Sequence, residues 1–179
     1  MKRFFGFFYF LLISSLTFGQ GQKNNISSTP GQTSFYAELG GPGILFSANI
    51  DRRFKASTLG WGFRAGLGFV TADEQKIVNG NYEYNPASVV TVPLQINYIF
   101  GQYDSPHAFE VGAGLTYVGR KLDIMNFYDD RKSNLFGSFS FMYRRQPVKG
   151  GFSWRIGFTP LIAQGYIQPS GAVSVGYNF

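Results

Sequence analysis

The sequence predicts an all-β fold: an eight-stranded antiparallel up-and-down transmembrane β-barrel preceded by a cleavable signal peptide. Three observations predict it. Eight segments alternate large apolar residues with small or polar ones at period two, the mark of strands with two unlike faces. Aromatics make up 18% of the 179 residues and Gly numbers 23, yet mean hydropathy is only -0.06, as expected where lipid-facing residues alternate with polar interior ones. The last alternating segment runs to the final residue, Phe179.

The chain opens with Lys2 and Arg3, runs uncharged from Phe4 to Ile13, and turns small and polar through Ser14, Ser15, Leu16, Thr17, Phe18 and Gly19. That is the three-part layout of a secretory signal. Its apolar run of about ten residues is half the roughly 20 that a membrane-crossing helix needs. Cleavage is expected after Gly19, with small Thr17 and Gly19 at the recognition positions, so residues 1–19 form the signal peptide. Residues 20–33 read as a flexible Gly/Asn/Gln/Ser-rich lead with little to bury, and residues 34–179 as the barrel. Cys is absent, which removes a disulfide framework and a lipoprotein attachment site. Formal charge is +6, about +4 once Lys2 and Arg3 leave with the signal. The remaining basic residues are scattered, without the coherent face that a nucleic acid requires.

The first strand sets Phe35, Ala37 and Leu39 against Tyr36 and Glu38, and the second sets Phe46, Ala48 and Ile50 against Ser47, Asn49 and Asp51. In the third, Trp61, Phe63, Ala65, Leu67 and Phe69 oppose Gly62, Arg64, Gly66 and Gly68. The fourth carries Val90, Val92, Leu94, Ile96 and Tyr98 against Thr91, Pro93, Gln95 and Asn97. The fifth carries Phe109, Val111, Ala113, Leu115 and Tyr117 against Glu110, Gly112, Gly114 and Thr116. Phe139, Phe141 and Tyr143 oppose Ser138, Ser140, Met142 and Arg144 in the sixth. Phe152, Trp154, Ile156 and Phe158 oppose Ser153, Arg155, Gly157 and Thr159 in the seventh. The eighth sets Val173, Val175, Tyr177 and Phe179 against Ala172, Ser174, Gly176 and Asn178. Pro93 and Pro160 fall within strands and are expected as local irregularities, since proline cannot donate to a ladder.

Connection lengths predict orientation, because outer-membrane barrels have short periplasmic turns and longer outer loops. Lys55 to Leu59, Tyr103 to His107 and Pro147 to Gly151 are the short turns. Gly40 to Gly43, Thr71 to Ser88, Asp123 to Asn134 and Tyr166 to Ser170 are the outer connections. Both mature termini are then periplasmic, and Phe179 closes the wall against the first strand around Ala37.

A soluble carrier barrel of the lipocalin type would alternate in the same way. Volume separates the two readings: the interior of an eight-stranded barrel only just holds its side chains, so the Phe, Trp and Tyr face must point outward. An Arg on that face at the lipid midplane would cost about 2–4 kcal/mol. Glu38, Asp51, Arg53, Arg64, Glu110, Arg120, Arg144 and Arg155 instead take the other phase, where acids and bases can pair. This predicts a plugged lumen crossed by Arg–carboxylate pairs. Trp61, Tyr98, Phe100, Phe109, Tyr143 and Phe152, with Phe179, are expected as an interfacial aromatic girdle on the periplasmic side.

The segments YAELGGPGILFSANIDRRF, VPLQINYIFG, HAFEVGAGLTYV and GAVSVGYNF, in that order and spacing, resemble the small outer-membrane β-barrel proteins typical of Bacteroidetes, related in architecture to the OmpX- and OmpA-type barrels. The resemblance implies a Gram-negative cell envelope and lipid or lipopolysaccharide as surroundings. It also implies that Tyr177 and Phe179 form the terminal signal read by the barrel-assembly machinery.

Sharper activities find little support. A lipid hydrolase or acyltransferase, the alternative reading, needs a general base within reach of its nucleophile. The chain's one His, His107, lies in a turn with Ser105 and Glu110 nearby in sequence, but Pro106 intervenes and Glu110 takes the lumen phase. Asp129 and Asp130 supply few of the 6–8 oxygens that Ca²⁺ takes and sit beside Arg131 and Lys132. Gly40, Gly41, Pro42 and Gly43 have no following helix and so make no phosphate cradle. No catalytic residue, metal or cofactor is expected. The expected function is a non-enzymatic barrel with a structural or surface-recognition role, whose outer loops could display a ligand site.

Overall fold

Side chains that alternate in size and polarity drive one face of each strand toward the barrel axis and leave the other outside. In a computed structural model, which describes residues 31–78, 81–119, 134–163 and 166–179 and the side chains of all these except 72–87, that pattern builds a closed wall. The expected signal peptide, Arg120, Asp129 and Asp130 lie outside the described residues. The strands are β1 (Thr33–Gly40), β2 (Phe46–Arg53), β3 (Gly60–Val78), β4 (Asn81–Gly101), β5 (His107–Val118), β6 (Leu135–Arg145), β7 (Gly151–Phe158), β8 (Leu161–Ala163), β9 (Tyr166–Gln168) and β10 (Gly171–Asn178). All pairings are antiparallel. β1 through β7 pair in sequence, β7 pairs β10, and β10 closes on β1 with Ala37 opposite Val175. β8 continues the β7 stave, pairing β6 at Gly137 and Ser138, and β9 lies in register with β10, so ten strands make eight staves.

The wall is strongly staggered. Moving from partner to partner around it from Gly60, through Ile99, Glu110, Met142, Gly157 and Ala172 to Gly40, and across the Gly40–Leu45 hydrogen bond, returns to β3 at the level of Val70. That displacement of ten residues along one strand belongs to a barrel whose strands tilt by roughly 35–45°. It brings to one level residues that no alignment of strand ends would group.

Three connections and two prolines differ from the sequence expectation. Thr71 to Ser88 is no loop: β3 and β4 stay paired from Thr71↔Ser88 to Val78↔Asn81 and form a two-stranded ribbon beyond the neighbouring strands. A ribbon with no core beside it has no reason to alternate, so periodicity could not reveal it. Within Tyr166 to Ser170, β9 pairs with β8. The interruption falls where Pro160 and Pro169 stand opposite each other in that register, two residues without N–H groups. The ladder resumes with Thr159 N–H donating to Ser170 O at 2.7 Å. Pro160 therefore sits between strands. Pro93 removes the β3–β4 pairing at Gly66 and Leu67 without a bulge, since the register on either side is unchanged.

The Gly40–Gly43 connection turns inward. Gly40 at φ 73° and Gly41 at φ 65° take conformations open to glycine at no steric cost, and a one-turn 3-10 helix, Gly41–Gly43, is buried inside the barrel. Thr116 Oγ1 donates to Pro42 O at 3.0 Å and Thr91 Oγ1 to Gly43 O at 3.1 Å. Ile44 follows at φ 74°, ψ -72°, with Leu45 N–H returning to Gly43 O at 3.2 Å. That geometry is a γ-turn of the rare, strained hand. Ile44 packs on an apolar cluster of inward-facing Val70, Val89, Val118, Phe136 and Leu161.

Candidate functional site

Every stave sends a polar side chain to the axis in the half of the barrel nearer the termini. Each follows from the inward phase of its strand: Tyr36 and Glu38 on β1, Asn49, Asp51 and Arg53 on β2, Arg64 on β3, Gln95 and Asn97 on β4, Glu110 on β5, Arg144 on β6, Arg155 on β7 and Ser174 on β10. All are buried, with Arg64, Glu38, Glu110 and Arg144 each 1% exposed. Exposures that low leave no water to solvate the charges, so protein partners must do so.

They do so as one chain of alternating sign. Arg53 pairs with Asp51. The other Asp51 oxygen accepts from Arg144 Nη1 at 2.9 Å, and the same nitrogen donates to Glu110 Oε2 at 2.8 Å. Arg155 Nη1 donates to both Glu110 oxygens, at 3.2 and 3.1 Å, while its Nη2 reaches Glu38 Oε2 at 2.9 Å. Glu38 Oε1 pairs with Arg64. The sequence Arg53, Asp51, Arg144, Glu110, Arg155, Glu38, Arg64 thus runs unbroken. Arg120 lies outside the described residues; the other seven expected lumen charges all belong to this chain.

Neutral groups complete the coordination. Asn97 accepts from Arg53 Nη2 at 2.6 Å and donates to Glu110 Oε1 at 3.1 Å. Arg64 donates to Asn49 Oδ1 and Gln95 Oε1, both at 3.3 Å, and Ser174 Oγ donates to Glu38 Oε2 at 2.8 Å. The Arg155 guanidinium stacks 3.7 Å from the Tyr36 ring centroid, with Arg64 at 5.4 Å from the same ring, so one aromatic ring serves two cations. Tyr36, Asn49, Gln95, Asn97 and Ser174 were not singled out from sequence. Their shared phase with the charges was the available signal.

Outside, the expected girdle residues gather at the termini end. Trp61 meets Tyr98 edge-on at 5.2 Å, Phe100 stacks on Phe109 at 5.8 Å, and Phe109 meets Tyr143 at 5.6 Å. Trp154, unassigned from sequence, extends the row at 5.5 Å from Tyr143. Phe152 lies opposite Tyr177 in the β7–β10 ladder, and Tyr177 packs 5.0 Å from Phe179. Phe179 is tied by its backbone: its N–H donates to Thr33 O at 2.8 Å and its carbonyl accepts from Gly31 N–H at 2.6 Å.

His107 Nδ1 is hydrogen-bonded to the Tyr143 hydroxyl. The nearby Ser105 hydroxyl accepts the His107 backbone N–H at 3.2 Å, and Glu110 is committed to the interior network. These contacts assemble no base with a nucleophile. Among the described residues no group of three or more His, Cys, Asp or Glu is arranged to hold a metal, and no helix is long and apolar enough to cross a membrane.

Wall and interior together define a small, closed, eight-stranded antiparallel β-barrel of a kind found in outer membranes. No protein-family model matches the chain, and no curated protein matches it. Among solved structures, the crystal structure of the N-terminal β-barrel domain of Pseudomonas aeruginosa OprF is similar, with a TM-score of 0.53 at 13% identity, covering 84% of this chain and 99% of that one. At that identity the likeness is one of fold.

Proposed function

We propose that this chain is a non-enzymatic outer-membrane β-barrel, exported by its signal peptide, with both mature termini periplasmic and its interior plugged by the ion-pair chain. The observation that carries this reading is the outer face. Between Arg52 and Arg145 at the termini end and the start of the ribbon, the described outward positions bear no charge, and large apolar groups such as Leu67, Leu94, Leu115 and Phe141 are more than half exposed. From Val90 to Phe100 β4 rises roughly 33 Å. At a tilt of about 40° this covers about 25 Å along the axis, the height of the lipid-facing band of outer-membrane barrels. A soluble carrier would require that band to face water and the interior to be free for a ligand; here the interior is occupied by its own side chains.

The plug supports an envelope-stabilising or recognition role over conduction, with the ribbon and neighbouring segments at the hairpin end as the surface open to a ligand. The test is to fold the mature chain into phospholipid vesicles, compare gel migration with and without boiling, and record conductance. An unboiled band of altered mobility and no large, steady channel openings are expected. A chain recovered from the periplasm without detergent and showing no heat-dependent shift would overturn the membrane reading, and sustained large openings would overturn the plug.

A further inference from the structure

We infer that the termini end of the barrel carries a basic and aromatic collar that binds anionic phospholipid headgroups, in preference to zwitterionic ones, on two opposite sides of the wall. The inference rests on the membrane reading above and specifies which lipid lies at one rim. Arg52 and Lys55 flank Phe54 at the β2–β3 turn, and all three are exposed. Phe54 N–H donates to the carbonyl of Trp61, at 2.9 Å, which brings the backbone of this basic turn alongside the exposed Trp61, with Arg52 opposite Phe63 in the ladder. Across the barrel the arrangement recurs at the β6–β7 turn. Exposed Arg145 stands directly opposite Trp154 in the ladder, and Lys149 is exposed in the same turn.

The placement distinguishes these cations from ordinary surface charge. Arg52 and Arg145 occupy outward positions of wall strands, immediately below the charge-free band; the four interior arginines all have carboxylate partners, and among the described residues these two have none. An indole at the edge of an apolar band takes the depth of the headgroup region, so a cation beside it stands level with lipid phosphates. Among the described residues, Asp104 is the exposed acidic side chain at this end. The field along the two turns is therefore positive, and a juxtamembrane Lys or Arg enriches anionic lipid by roughly fivefold.

The chain's two tryptophans are Trp61 and Trp154, one in each half of the collar, and they report the lipid beside them. The barrel is folded into phosphatidylcholine vesicles containing brominated phosphatidylglycerol or, at matched mole fraction, brominated phosphatidylcholine, and Trp quenching is compared. Stronger quenching by the anionic lipid, corresponding to a several-fold enrichment that high salt reduces, is the expected result. The pair R145E/K149E should abolish the preference at Trp154, with heat-dependent gel migration confirming that the variant folds; if it does not, the salt dependence of the wild type carries the test. Equal quenching by both lipids would overturn the collar while leaving the membrane reading intact. Quenching by neither would overturn the membrane reading and the collar with it.

Discussion

The two halves of the barrel interior are built on the same inward phase of the same strands and filled by opposite chemistries. Toward the termini, β6 sends Arg144 inward and β5 sends Glu110. Toward the hairpins the same two strands send Phe136 and Val118. The charged half holds together because each ion has named partners within about 3 Å, so its stability depends on the set being complete. In the apolar half an apolar group of similar volume can replace another at a cost under about 1.5 kcal/mol. The inward turn Gly41–Gly43 lies between the two layers, close to Glu38 on one side and leading to Ile44 on the other. A barrel interior is thus a place where pairing and packing can be tested against each other in one molecule.

The largest effect should come from the charged half. Glu110→Ala removes the carboxylate shared by Arg144 and Arg155 and leaves two buried guanidinium groups short of a partner. A destabilisation of about 3–5 kcal/mol is expected, measured by urea unfolding in vesicles with Trp fluorescence. A loss below 1 kcal/mol would mean that water reaches the network. In the apolar half, Phe136→Ala should cost about 3 kcal/mol through cavity formation. Phe136 lies on β6 well along from Met142, the register partner of Glu110, a separation of roughly 20 Å. The two substitutions should therefore add to within about 0.5 kcal/mol. A larger coupling would show that the two layers act as one unit.

Space is the next term. At Gly66 a Cβ would overlap Asn49 Oδ1, which accepts from Arg64. Gly66→Ala is expected to cost about 1–3 kcal/mol by overpacking in the same unfolding measurement. It should also be partly relieved by Asn49→Ala, which vacates the site. Failure of that rescue would place the cost at the Ala48 carbonyl of β2, the next atom that the new Cβ would approach, at 3.0 Å.

Much of the wall was legible because strand phase is a local property. Arg64, Glu110 and Arg155 announce their direction through immediate neighbours. Their partners do not: Glu38 meets Arg64 and Arg155, far apart in sequence, because the stagger of the wall decides which inward residues share a level. The apolar layer was also hidden. Val70, Val118 and Phe136 keep the inward phase, but beside polar neighbours their hydrophobicity reads as a lapse in the pattern. The inward fold of Gly40–Gly43 was hidden too, since a glycine-rich turn states what conformations are open to it and not which way it bends. Pro160 reads as a fault in a strand until Pro169 is seen across from it.

The smallest net effect is the most discriminating, and it concerns Ile44. Its γ-turn conformation costs on the order of 1–3 kcal/mol, while its contact with the Val70 cluster returns about 1–2 kcal/mol. Ile44→Gly surrenders the contact and releases the strain, so its stability should stay within about 1 kcal/mol of the parent. Ile44→Ala surrenders most of the contact and keeps the strain, so it should be less stable than the glycine variant by about 1 kcal/mol or more. Packing alone would order the two the other way, since alanine fills more of the site. Unfolding of both variants under one set of conditions decides between the readings, and alanine above glycine would mean that the turn at Ile44 relaxes freely.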